Sequence, residues 1–84
     1  MLSAYNSLMR KTIIVDPKIL AGKPVIAGTR IPVYLILNLL VHGYNFERII
    51  KAYPVLTVEA IKAAIKYSEA RMKREETKLF HQTQ

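Results

Sequence analysis

The stretch VYLILNLLVH, between Pro32 and Gly43, constrains this chain more than any other, because it holds no Lys, Arg, Asp or Glu. Pro32 has the fixed φ and missing N–H that suit a first helical turn, and Gly43 is a natural residue to follow a last one. The segment reads as a helix apolar on most faces, with Tyr34, Asn38 and His42 recurring every four positions as one polar stripe. So apolar a helix has to be buried. A chain of 84 residues is one domain that covers only roughly 60–65% of the surface its unfolded form exposes, so part of this helix is expected to meet a second copy. With no cysteine, there is no disulfide and no thiolate metal site to make up the shortfall.

The flanking sequence supplies the remaining elements. KTIIV (11–15) is β-branched and reads as a short strand closed by the turn pair Asp16-Pro17. PVIAGTRI (24–31) supplies a second, with Gly22 and Gly28 marking turns on either side. After Gly43, Asn45 is a good N-cap for FERIIKAY, with Glu47 in the first turn and Pro54 ending the segment. Thr57 caps a third helix with Glu59 in its first turn. Val58, Ile61, Ile65, Met72 and Leu79 follow helical spacing there, with Ser68 on the same face. A helix unbroken to Phe80 would be ~34 Å long, longer than so small a domain can cover, so its second half must project or pack on something else. The expected fold is mostly α: an N-terminal β-ribbon, then three helices with the outline of a helix-turn-helix, the last of them long. Residues 1–11 are expected to form a loosely ordered arm, 12–70 the domain and 71–84 a projecting helix end and tail.

Thirteen Lys and Arg against six Asp and Glu give a formal charge of +7, which favours polyanions or acidic protein surfaces. No segment approaches the ~18 consecutive apolar residues of a membrane span, and MLSAYNSLMRK lacks an apolar run followed by a cleavage site, so a cytoplasmic protein is expected. Catalysis has little to draw on. Asp16 is the only aspartate, His42 sits at a helix end and His81 in the tail, and Glu47 and Glu59 have helix-start roles. No His/Asp/Glu set has metal-ligand spacing. The glycines of GKPVIAGTRIPV (22–33) are wrongly spaced for a phosphate loop, and Pro24 removes a donor such a loop would use. The expectation is a protein that is not an enzyme, with no cofactor and no metal.

The run from Asp16-Pro17 through Gly22 to Val33, Gly43, Tyr53 to Thr57, and Ala64 with Tyr67 resembles the small prokaryotic domain-of-unknown-function family 433. The resemblance covers about residues 13–70 and leaves 1–12 and 71–84 outside. Many relatives carry Arg where this chain has Ala27, so any polar role of that position is missing here. The resemblance implies a homeodomain-like helix-turn-helix and the role of antitoxin in a type II toxin–antitoxin pair, acting on a PIN-like ribonuclease and on operator DNA, as a homodimer. A stand-alone helix-turn-helix regulator is the alternative, and an interaction module using the motif only to dimerise is a third.

Candidate DNA contacts are Lys23, Arg30, Lys62, Lys66 and Lys73. Lys62, Lys66 and Lys73 lie near one face of the third helix and would meet backbone phosphate, since Lys is a point charge with little base selectivity, while Lys23 sits at an exposed turn where it either meets phosphate or is simply solvated. A solvated helix face explains the same residues without function. Arg30 either holds loop carbonyls or Asp16, or reaches phosphate as an arm residue does. Tyr67 is expected to pack. Candidate toxin contacts are Arg71, Met72, Arg74, Lys78, Leu79 and Phe80: the basic residues would enter the carboxylate cluster of a nuclease while the apolar ones bind an adjacent groove. Arg71 and Arg74 lead, because a planar fork engages two carboxylates; the plain alternative is an amphipathic helix end in solvent.

Overall fold

The structure, a computed structural model, describes the backbone of residues 12–83 and the side chains of residues 12–75. Ile13–Ile14 (β1) and Val25–Ile26 (β2) pair antiparallel, Ile13 opposite Ile26 and Ile14 opposite Val25. Both strands are shorter than the β-branched runs that contain them, because turns claim the flanks. After β1 the Asp16 carbonyl accepts from Ile19 N–H at 2.8 Å and its carboxylate from Lys18 N–H at 2.9 Å, an Asx turn that Pro17 fits. Leu20, Ala21 and Gly22 then all take positive φ, at 48°, 56° and 83°. This is one left-handed turn, closed by Gly22 N–H to the Ile19 carbonyl and Lys23 N–H to the Leu20 carbonyl.

β2 has a second neighbour. Ile26 N–H donates to the Ile31 carbonyl and Val33 N–H to the Pro24 carbonyl, both at 2.9 Å, so the chain returns along β2 and Val25 bridges Pro32. Gly28, at φ 79°, makes the reversal, with Thr29 N–H donating to the Ile26 carbonyl. The Thr29 hydroxyl donates to that same carbonyl at 2.7 Å and accepts from Ile31 N–H at 3.0 Å, locking the turn. Pro32 therefore ends the ribbon in extended conformation (φ −76°, ψ 151°), and the helix starts one residue later than its sequence position suggests.

Val33–Val41 (α1) ends in a Schellman motif: Gly43, at φ 93°, donates to the Leu40 carbonyl and Tyr44 N–H to that of Leu39, both at 3.0 Å. Phe46–Ala52 (α2) is capped by the Asn45 side chain, which accepts from Arg48 N–H at 2.8 Å. A turn with Pro54 at its second position and Leu56 N–H bonded to the Tyr53 carbonyl leads to Val58–Thr83 (α3). The Thr57 hydroxyl caps α3 by accepting from Ala60 N–H at 3.1 Å. The architecture is thus mostly α, a two-stranded ribbon followed by three helices, and α3 runs slightly past Phe80 to Thr83.

α1 packs on α3, and β1 and α2 also touch α3. The core is Ile13, Ile26, Val33, Ile36, Ile49, Leu56, Ala60, Ile61, Ala63 and Ala64. Tyr34, Asn38 and His42 are exposed, as their stripe requires, and the His42 Nδ1–H donates to the Asn38 carbonyl at 2.8 Å. Val41 is exposed beside them at 82%, so α1 is less fully buried than its composition suggests.

Two stability measurements test this account. Leu56 is 2% exposed and anchors the turn between α2 and α3, while its neighbour Val55 is 63% exposed. Leu56→Ala should cost about 2–4 kcal/mol in urea unfolding and Val55→Ala less than about 0.5. Ala21 holds φ 56°, where a Cβ costs about 1–2 kcal/mol and glycine pays back part of the gain as chain entropy. Ala21→Gly should therefore stabilise the fold by about 0.5–1 kcal/mol; a destabilised variant would contradict the left-handed turn.

Candidate functional site

α2, the Tyr53–Thr57 turn and α3 form a helix-turn-helix, held in place because Ile49, Leu56 and Ile61 are all buried beneath it. That burial decides which side of α3 faces solvent. Ala60, Ile61, Ala63 and Ala64 point inward, so Glu59, Lys62, Lys66, Glu69, Ala70 and Lys73 are left outside. Lys62, Lys66 and Lys73, four and seven residues apart, are brought onto one exposed face as expected. Two acids share it. Lys66 Nζ lies 3.7 Å from Glu69 Oε1, an ion pair whose partners are both about half exposed (56% and 54%), so solvent screens it. Lys66, Glu69, Ala70 and Lys73 line a shallow depression on this side. The arrangement suits phosphate oxygens, which ask only for positive charge, better than a base edge, which asks for a fixed donor pattern.

The two ribbon residues part company. Lys23 is exposed, but its ammonium sits 5.2 Å from the centre of the Tyr34 ring, so a cation–π contact ties the start of β2 to the outer face of α1. Arg30 is exposed beside the Gly28 turn and makes neither structural contact open to it. The Asp16 carboxylate is turned to Lys18 N–H, and Thr29 satisfies the turn carbonyl that Arg30 would have held. Arg30 is left facing solvent.

The later part of α3 is a second surface. Arg71, Met72, Lys73, Arg74 and Glu75 are all exposed, Met72 at 67%. Arg71 folds back on its own helix, its guanidinium 5.7 Å from the centre of the Tyr67 ring and Nη1 3.5 Å from the hydroxyl. Tyr67 is half-buried against the core, so it packs and also carries this arginine. Arg74 makes no such contact among the described residues. The side chains of Lys78, Leu79 and Phe80 lie outside the described residues, although the α3 backbone passes through them.

Two features escaped the sequence. Arg48 stacks on Tyr44, 4.0 Å from the ring centre, with a spacing of four that sequence could have flagged, although a loop residue lies between helices. A groove lined by Leu37, Ile65, Ser68, Glu69, Met72 and Lys73 runs between α1 and α3, and only the packing of those helices creates it. Among the described residues, no three His, Cys, Asp or Glu side chains are placed to hold a metal ion, and no helix is long and apolar enough to cross a membrane.

Comparison with known proteins agrees with the fold. An uncharacterized protein, y4eO, of Sinorhizobium fredii (strain NBRC 101917 / NGR234) is 38% identical over 71 residues, which are 84% of this chain and 32% of that protein. The chain therefore spans about one third of the length of the curated relative it matches. The crystal structure of a DUF433 member protein from Anabaena variabilis ATCC 29413 superposes with a TM-score of 0.72 at 27% identity, covering 89% of this chain and 74% of that one. Residues 13–68, from the first ribbon strand through the buried half of α3, match the family described as protein of unknown function (DUF433), and the chain belongs to that family.

Proposed function

We propose that this chain is a non-enzymatic antitoxin, a helix-turn-helix protein that binds its operator DNA and neutralises a PIN-like ribonuclease. The observation that carries the reading is the division of α3. Its first half is packed into a helix-turn-helix and offers lysines to solvent; beyond Ser68 the helix leaves the core, and residues 69–75, with Arg71, Lys73 and Arg74 among them, are exposed. One surface fits a phosphate backbone and the other an acidic protein site, which are the two partners of an antitoxin.

On DNA, Lys62 and Lys66 of the packed half meet phosphates, with exposed Arg30 placed to add a contact from the ribbon and Lys23 committed in part to Tyr34. Acids alternating with the lysines keep the contact dependent on register, because a shifted duplex would set phosphate against Glu59 or Glu69. On the nuclease, Arg74 is the leading contact, because among the described residues nothing engages its fork whereas that of Arg71 rests on Tyr67. Removing that fork leaves the metal-binding carboxylates of the enzyme open to substrate. A cytoplasmic location follows from this role.

Two experiments test the halves separately. Operator affinity should fall steeply with salt, and a Lys62→Ala, Lys66→Ala variant should lower the steepness of log K against log salt by about 2 per bound chain. An unchanged slope moves the DNA surface elsewhere. The chain should also copurify with a coexpressed nuclease from the neighbouring reading frame and suppress its RNA cleavage, and Arg74→Glu should reduce the inhibition at least tenfold without changing DNA affinity. DNA binding without any nuclease complex would favour a stand-alone regulator.

A further inference from the structure

Ile61, Ile65, Ser68 and Met72 succeed one another at spacings of four, three and four, so they form a single line along α3. Its burial fades in order: Ile61 is 0% exposed, Ile65 and Ser68 are half-buried and Met72 is 67% exposed. Leu37 of α1 is the core-side wall of the groove beside Ile65 and Met72. Past it no described residue covers the line, yet α3 continues as helix to Thr83. By sequence the line next reaches Leu79, with Glu75 at its edge on the Arg71 side.

The residues beside the line are charged, and each side carries both signs four residues apart. Glu69 and Lys73 flank it on one side, Arg71 and Glu75 on the other. When two helices lie antiparallel about a two-fold axis, like flank meets like flank with the order of residues reversed. Each flank then faces its own opposite: Glu69 meets Lys73 of the second copy, and Arg71 meets Glu75 of the second copy. The same arrangement sets Met72 against Met72 of the second copy and position 79, a leucine, against Ile65. A parallel pair would instead bring together the ends of the line that each copy already covers with its own α1.

We infer that the second half of α3 is the homodimer seam of this chain, two helices pairing antiparallel about an axis at Met72, each projecting end closing the Leu37–Ile65 groove of the other copy. This goes beyond the antitoxin reading and does not depend on it. Arg74 stays available to a nuclease, because it lies on the opposite side of α3 from Met72.

Sedimentation equilibrium of the full chain at tens of micromolar should give a dimer, and Met72→Lys should give a monomer with unchanged helicity by circular dichroism. Glu69→Lys alone should weaken the dimer at least tenfold, and adding Lys73→Glu should restore it, since the exchanged pair is again self-complementary. The absence of cysteine permits a check of register. Met72→Cys should be joined to its partner by a short thiol-reactive crosslinker, while Ser68→Cys should not, because the two 68 positions are separated along an antiparallel pair. A monomeric parent, a dimer indifferent to Met72→Lys, or equal crosslinking at 68 and 72 would each overturn the proposal.

Discussion

The fit of α1 against the small-residue face of α3 is the contact on which the rest of this structure depends. Ile36 is fully buried and shares the core with Ala60, Ile61, Ala63 and Ala64 of α3. Alanine at these positions lets two helices approach closely without conflict between side chains and costs the helix nothing in propensity. A fold this small has few interior side chains, so each of them has to be well packed. Among the described residues no polar or charged side chain is buried, and the interior therefore depends on shape rather than on a hydrogen-bonded network.

For α1 to reach α3 at this angle, its start has to be held, and that is the work of the ribbon. β2 lies between β1 and the returning Ile31–Val33 segment, so a few backbone hydrogen bonds fix the first turn of α1 on two sides. The Gly28 turn with its Thr29 hydroxyl makes the return possible in few residues. The left-handed turn at Leu20–Gly22 is the cost of bringing β2 back across β1 so soon after the Asp16-Pro17 turn. Only one of its three residues is glycine, so the strain is carried by the packing on either side.

Much of this could be read from residue types alone, because local chemistry fixes it. Gly43, Asn45 and Thr57 set helix ends through bonds made within a few residues, and their positions need no knowledge of the remainder. The ribbon pairing and the face of α3 that carries Lys62, Lys66 and Lys73 follow from periodicity in the same way. What could not be read depends on contacts between elements. Pro32 has the signature of a first helical residue, but its pairing with Val25 draws it into the ribbon. Nothing local distinguishes Leu20 and Ala21 from residues of ordinary φ. Lys23 and Arg30 look alike in the sequence, and only the approach of Tyr34 to one of them separates a tethered cation from a free one.

The two halves of α3 stand on different physical footings. The part from Val58 to Ser68 is held by the core, so its exposed lysines are presented from a fixed backbone, which suits recognition of a duplex whose phosphates are regularly spaced. The part from Glu69 onward has left the core, its described side chains 69–75 all exposed, and an isolated helix of fewer than ~12–15 residues is marginal in water. It is nucleated by the buried half, so it need not meet the cost of a first turn, but its apolar line still gains most by being covered. Binding at that end therefore consolidates a helix whose direction the core has already set. Whatever occupies it is placed at a defined distance from the lysine face, and the rigid helix between them is the physical link through which one surface can depend on the occupancy of the other.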